Sequence, residues 1–248
     1  MKPRLRFAHL PTPVETLPRL SALLKGPTLI TKRDDQTGLA FGGNKTRKLE
    51  YLLYAAQEAG ADTLITAGAV QSNHCRQTVA AAARFGMACI LVLFGDPPTP
   101  PDGNHLLHHL LGAEIVFTQR ECVNQKLEEV YESGLSAGKH PYLIPYGGSN
   151  PTGALGYVNA MLELAEQDAD PDWIVFPTSS GGTQAGMLVG AQISGYRGKI
   201  LGISVDELAD ELKARVADLA AQTADFIGDD VTINAGDVLV NDDYLGGG

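Results

Sequence analysis

Lys45 stands in the stretch Phe41-Gly42-Gly43-Asn44-Lys45-Thr46-Arg47-Lys48-Leu49-Glu50, directly after a glycine pair and an asparagine, and just before a helical pattern that begins near Arg47. A lysine whose task is solvation sits on the polar face of a helix. This one occupies a loop-to-helix junction, where Gly42 and Gly43 let the backbone crowd a bulky group. Partly desolvated and beside the cationic Arg47 and Lys48, it is expected to have a lowered pKa and free amine to condense with a carbonyl. The plain alternative is an ordinary turn before a helix.

Two further stretches carry residue types of the same kind. Pro177-Thr178-Ser179-Ser180-Gly181-Gly182-Thr183-Gln184-Ala185-Gly186 follows a strand pattern and opens a helix. Its hydroxyls and glycines aim backbone N–H groups at one spot, where the helix dipole favours a dianion. No Walker lysine follows and the GxGxxG spacing is absent, which speaks for a monophosphate over ATP or NAD. A turn that merely caps a helix is the competing account. Gln71-Ser72-Asn73-His74 also begins a helix after a strand. Ser72 fits a helix cap or faces a ligand held by Lys45; Asn73 is placed to donate to that ligand, and His74 to tune Ser72 or to pack.

A nucleophilic lysine, a monophosphate cup at Ser180 to Thr183 and a second polar loop define a site for an aldehyde that carries a phosphate. Pyridoxal 5'-phosphate (PLP) fits, with its aldehyde on Lys45. His105, His108 and His109 form an HxxHH cluster, but no carboxylate at ligand spacing accompanies them, so they are expected on an exposed helix face and no metal is expected.

The elements that must position these groups alternate. After an extended opening strap through Pro11, Pro13 and Pro18, strands are expected near residues 28–32, 62–67, 88–93, 114–117, 142–145, 173–176, 199–205 and 238–240. Helices are expected near 47–59, 73–85, 105–111, 121–137, 152–167, 183–194 and 207–222. Such alternation implies α/β architecture with parallel sheets covered by helices, where ligands collect at the carboxyl ends of strands. The chain finishes on Leu245-Gly246-Gly247-Gly248 just after a strand pattern, which leads us to expect that a C-terminal portion is lacking.

At 248 residues, 44% of them hydrophobic, the chain can build a substantial core. No apolar run reaches the length of a bilayer span and no secretory signal follows Met1-Lys2-Pro3-Arg4-Leu5-Arg6, so a cytoplasmic protein without a membrane partner is expected. Cys75, Cys89 and Cys122 are odd in number and lack CxxC spacing, which suggests neither disulfides nor zinc. A net charge of -10 argues against nucleic acid. Residues 1–50 nevertheless hold ten Lys and Arg against four Asp and Glu, so an anionic ligand finds that half friendlier.

The lysine stretch, Gln71-Ser72-Asn73-His74-Cys75-Arg76-Gln77 and Ser180-Gly181-Gly182-Thr183-Gln184-Ala185-Gly186 together resemble the 1-aminocyclopropane-1-carboxylate deaminase/D-cysteine desulfhydrase family, PLP enzymes with the tryptophan synthase beta-like fold (fold type II). The resemblance implies that Lys45 carries the cofactor, with Asn44 beside it. It places Ser72 near the substrate and ring, Asn73 on the ring oxygen, and Ser180, Gly181, Gly182 and Thr183 around the phosphate. Ser72, Asn73 and His74 would meet the substrate carboxylate, and Ser72 competes with Lys45 as base. Gly68 to His74 and Tyr146-Gly147-Gly148-Ser149-Asn150 look more like the D-cysteine desulfhydrase branch; the deaminase branch tends to have Gln-Thr in place of His74-Cys75.

The implied fold is two parallel-sheet three-layer domains, a large one from 1–46 and 160–248 and a small inserted one from 47–159. The implied function is a lyase of amino-acid metabolism, working as a homodimer, that converts D-cysteine to pyruvate, sulfide and ammonia. Ring-opening deamination, L-cysteate sulfo-lyase activity and an inactive PLP-binding fragment are the alternatives. Family members continue past Gly248, into a segment with an aromatic substrate-site residue and the group that faces the pyridine nitrogen.

Overall fold

The computed structural model describes residues 2–246; the last two glycines of the terminal run, Gly247 and Gly248, lie outside the described residues. The opening strap is tied to the body by its backbone. Leu5 N–H donates to the Glu50 carbonyl oxygen at 3.0 Å, and the N–H groups of Phe7 and Ala8 both donate to Glu50 Oε1 at 2.8 Å. The strap is not extended throughout, as its prolines led us to expect. Strand β1 (Val14–Thr16) pairs antiparallel with β2 (Ile30–Lys32), and helix α1 (Pro18–Leu24) stands between them. Pro18 begins that helix at N1, where the missing N–H costs no hydrogen bond, so the proline read as extended is a helix start.

Helix α2 (Lys45–Glu58) leads into β3 (Thr63–Ala69), α3 (Asn73–Arg84), β4 (Ala88–Phe94), α4 (Gly103–Leu110), β5 (Glu114–Thr118), α5 (Val123–Ser136) and β6 (Pro141–Leu143). These strands form a parallel sheet of order β5-β4-β3-β6. After α6 (Pro151–Glu166) come β7 (Trp173–Thr178), α7 (Gly182–Ser194), β8 (Lys199–Ser204), α8 (Ala209–Ile227) and β9 (Leu239–Asn241), whose strands form a second parallel sheet in the order β7-β8-β9. Leu49, Leu52, Leu53 and Ala56 of α2 are fully buried against the first sheet's core, the period-3.6 stripe that their spacing predicts. The expected division between residues 159 and 160 falls inside the continuous helix α6.

The histidine helix differs from its expectation. His105 and His108 of α4 are buried, whereas Leu106 and Leu110 point outward. Burial lowers the His108 imidazole to about 4, so the neutral ring packs as a flat apolar body, and His105 sets its ring against His109 and Phe117.

One buried polar network joins strap, α2 and α6. The Arg47 guanidinium reaches Asp34 through Nε and Nη2, Glu163 through Nη1 and Nη2 at 2.9 Å, and Thr12 Oγ1 at 2.9 Å. Lys32 pairs with the same Glu163, and the Tyr157 hydroxyl donates to Asp34 Oδ2 at 2.6 Å. Helix α6 can come this near because Gly156 lacks a side chain: a Cβ there would lie 2.6 Å from the Arg47 carbonyl oxygen. Burial alone would raise the Glu163 carboxyl, but hydrogen bonds and charge from Arg47 and Lys32 outweigh it and take it down to about 2. A depressed carboxyl contributes stability above its unfolded value of 4.5 and loses it as pH falls toward about 2. Glu163→Gln should therefore cost on the order of 3 kcal/mol at neutral pH. Urea titrations of the two proteins should converge between pH 4.5 and 2; a gap that stays constant across that window would count against the assignment.

Candidate active site

Helix α2 opens at Lys45 itself, two residues before the expected start. The loop ahead of it is pinned from behind: Gly43 N–H donates to Thr37 Oγ1 at 2.9 Å, and Thr46 Oγ1 donates to Gln77 Oε1 at 2.8 Å. The room that Gly42 and Gly43 leave is taken by protein, not by a ligand. A Cβ on Gly42 would lie 1.9 Å from the Asp35 carbonyl oxygen, and one on Gly43 would lie 2.6 Å from Gln77 Nε2. The glycine pair thus lets the loop fold tightly enough to deliver Lys45 to a cleft of about 290 Å³.

The Lys45 amine forms no ion pair among the described residues, and loss of hydration lowers its pKa to about 8. Desolvation, and not the neighbouring cations, is the cause. Arg47 is turned away and saturated by Asp34 and Glu163. Lys48, three residues on and on the same helix face, is itself pushed well below the ordinary lysine value, first by burial and then by the charge of Lys45. Its Nζ donates to the Gly147 carbonyl oxygen at 3.2 Å. The i,i+3 spacing from Lys45 is the sequence signal that puts both side chains on one face of the helix.

Around this amine the cleft gathers Asn44, Ser72, Asn73, His74, Ser180, Gly181 and Thr183. Ser72 caps α3 by accepting the Cys75 N–H at 3.2 Å, so it does the common task and lines the cleft as well. Asn73 Oδ1 accepts from Arg76 Nη1 at 2.8 Å and from Asn104 Nδ2 at 2.9 Å, which orients its amide. His74 packs and does not tune Ser72. The Thr66 hydroxyl donates to the Ile144 carbonyl oxygen at 2.8 Å, so the His74 contact with Thr66 at 2.9 Å requires Nε2–H as donor and leaves Nδ1 bare. Burial, reinforced by the charges of Lys45 and Lys48, holds this imidazole neutral.

At the opposite end, Gly181 is left-handed with φ +82° and turns the chain into α7. Thr183 Oγ1 accepts from Asn44 Nδ2 at 3.2 Å, which links the lysine loop to the glycine-rich turn. Two members of the expected anion cup have protein partners: Gly182 N–H donates to Ser149 Oγ at 3.2 Å, and Ser149 Oγ donates to Ser180 Oγ at 2.8 Å. Gly182 is not among the residues that face the cleft. Tyr146, Gly147 and Ser149 belong to a stretch that the sequence marks only as branch-like, with no role in the site, because hydroxyls and glycines in a turn have no period that shows what they will meet.

The residues fit a flat aldehyde that bears a phosphate. A Cβ on Gly147, at φ +65°, would lie 2.3 Å from Ser180 Oγ and 3.5 Å from Lys45 Nζ, so a missing side chain keeps open the space between the amine and the anion cup. The first turn of α7 offers N–H groups there without intrahelical acceptors.

A family model described as pyridoxal-phosphate dependent enzyme matches residues 5–246. A D-cysteine desulfhydrase of Yersinia enterocolitica (serotype O:8, biotype 1B) is 41% identical over 98% of this chain and 76% of its own length. Among solved structures, one described as an ACC deaminase homologue superposes with a TM-score of 0.90 at 37% identity, covering 98% of this chain and 74% of that one. Maize serine racemase superposes with a TM-score of 0.67 at 20% identity, over 94% and 71% of the two chains, and shares the fold.

Two measurements test the geometry. The rate at which PLP develops a Lys45-dependent visible band should rise with pH through about 8 and then level off; a rise that continues to the ordinary lysine value would refute the desolvated amine. Gly147→Ala should weaken PLP binding by at least about tenfold and cost more than about 1 kcal/mol of stability while the protein stays folded, read by equilibrium dialysis beside a thermal melt.

Proposed function

The chain belongs to the pyridoxal-phosphate dependent enzyme family, and from that premise we propose that it is a carbon–sulfur lyase that converts D-cysteine and water to pyruvate, sulfide and ammonia. The observation that carries this reading is the partnerless, desolvated Lys45 amine set between an N–H cup and a second helix start. In this reading a large lobe, 1–46 with 160–248, and a small lobe, 47–159, flank the cleft. Lys45 holds the cofactor's aldehyde carbon, and Ser180, Gly181 and Thr183 hold its phosphate, with Gly182 shaping the turn from behind. Asn44 steadies Thr183, and Asn73 is the side chain offered to the ring oxygen.

When bound, PLP withdraws electrons from the substrate's α-carbon and makes the α-proton acidic. The residues of this chain do the rest. The free N–H groups of Asn73 and His74 at the start of α3 receive the substrate carboxylate, where the helix dipole favours an anion. Lys45 Nζ would be the base that takes the α-proton; its pKa of about 8 suits a group that must accept and return a proton near neutral pH. Ser72 Oγ accepts the Cys75 N–H, which leaves its own proton free to point into the cleft as donor to the carboxylate or as the alternative base.

The match to an ACC deaminase homologue supports a second reading, ring-opening deamination at the same lysine, whose product would be 2-oxobutyrate. L-Cysteate is disfavoured by charge: Asp206 accepts the hydroxyl of the cleft-lining Ser179 at 2.9 Å, and its Oδ1 is buried without a partner, which sets a carboxylate behind the wall that an anionic side chain would approach.

Purified wild-type and Lys45→Ala proteins, each given PLP and then D-cysteine, decide between these readings. We expect a visible band only in wild type, bleaching on D-cysteine and release of sulfide with pyruvate. A folded wild-type protein that shows the band but yields 2-oxobutyrate from the cyclopropane amino acid, and no sulfide, would establish the deaminase instead. A band without either product would leave a PLP-binding protein that does not turn over.

A further inference from the structure

The turn at residues 146–148 brings one bulky side chain to a cleft wall otherwise made of small residues. Tyr146 lines the cleft beside Pro177, Thr178, Ser179 and Val205, and among the described residues lining it Tyr146 carries the one phenol ring. The residue is 44% exposed and belongs to none of the three hydrophobic clusters. A tyrosine usually spends its ring on burial and its hydroxyl on a partner. Here the ring is half in solvent, and no hydrogen bond is found for the phenol among the described residues.

The backbone that carries this ring is held on both sides. Gly148 N–H donates to the Pro145 carbonyl oxygen at 2.8 Å, and Lys48 Nζ holds the Gly147 carbonyl oxygen at 3.2 Å. The next residue, Gly147, comes so near the reacting amine that a Cβ on it would lie 3.5 Å from Lys45 Nζ. Whatever amino acid reacts at Lys45 therefore has Tyr146 as a wall within one residue of it. Tyr146 lines the same cleft as Lys45, so a substrate held at the amine shares that cleft with this ring. Burial raises the phenol's pKa, so the hydroxyl remains a donor at neutral pH.

Resting on the lyase reading above, we propose that Tyr146 is the specificity-determining contact to the substrate's side chain: its ring limits the β-substituent to a small group, and its O–H is offered to the β-heteroatom.

Three proteins test this: wild type, Tyr146→Phe and Tyr146→Ala, all loaded with PLP. With D-cysteine and S-ethyl-D-cysteine as substrates, Tyr146→Ala should lower kcat/KM for the first and raise it for the second, changing their ratio by about a hundredfold. Tyr146→Phe should keep the size limit and lose about tenfold in kcat on D-cysteine with KM little changed. Equilibrium dialysis of two unreactive amino acids, D-alanine and D-norvaline, supplies a readout without turnover. Wild type should favour D-alanine, and Tyr146→Ala should shift the binding ratio at least tenfold toward D-norvaline. If wild type makes no pyruvate yet the binding ratio shifts, the lyase reading falls and the size limit stands. If the ratio is the same in wild type and Tyr146→Ala, including the case in which neither amino acid binds, the assignment of Tyr146 is overturned.

Discussion

The structure depends on a guanidinium held between two carboxylates. Arg47 is fully buried, and it cannot shed its charge to relieve that burial, so Asp34 and Glu163 must come to it. Asp34 belongs to the loop after β2, and Glu163 to the last turn of α6; Arg47 sits in the first turn of α2. Three segments far apart in the chain are thereby set against one another by a planar fork whose geometry leaves little play. Lys45 is two residues earlier on the same helix. With about 100° of rotation per residue, the side chains at 45 and 47 point to opposite faces. The group that anchors the helix start lies behind it, and the cleft-facing amine in front. The ion pair that holds the start of α2 thus also sets where Lys45 enters the cleft.

The same arrangement explains where the positive charge of the first fifty residues goes. Read from composition, ten basic side chains promised an anion-friendly half of the molecule. Most of those that the fold draws inward are neutralised by protein: Arg4 by Glu50, Lys32 and Arg47 by Glu163, Arg33 by Glu15 and Asp35. Lys45 and Lys48 are different. Both lie on one face of α2 and neither has a carboxylate partner among the described residues; burial lowers the affinity of each for a proton, and the charge of Lys45 lowers that of Lys48 further. Two amines side by side in low dielectric are stable only as free bases or with an anion between them.

How much of this was legible in the sequence follows from the range of the interactions involved. The helical and strand segments from residue 47 onward declared themselves through local periodicity, and the structure moves their ends by only a few residues. Two of the loops that build the cleft, after β3 and after β7, were legible because each lies between a parallel strand and a helix, where such sheets collect ligands. The lysine loop follows β2, which pairs antiparallel in a separate two-stranded sheet, and was legible from its residue types alone. What was hidden is long-range. Nothing near Ser149 in the chain says that its hydroxyl will meet Gly182 and Ser180, and nothing near Gly42 says that Asp35 will fill the space it leaves. The histidines of α4 misled for a related reason. Polarity predicts exposure only while a side chain stays ionised or finds water, and His108, once neutral, packs as readily as a small aromatic.

The two helix starts that face the cleft define its chemistry more tightly than any single residue does. α3 begins at Asn73, after the end of β3 in one sheet; α7 begins at Gly182, after the end of β7 in the other. Each presents unsatisfied N–H groups and a partial positive charge, and Lys45 lies in the same cleft. A nucleotide site would need one such start extended by a glycine-rich loop. A site for two separate anions joined through an amine needs two, one on each sheet, and that is what an α-amino acid held to a phosphorylated cofactor presents: a carboxylate at one end, a phosphate at the other and a nitrogen between them. Separation of the two sheets serves this need, because helix starts at the ends of strands in one sheet would all lie along a single edge and could not face one another across the substrate.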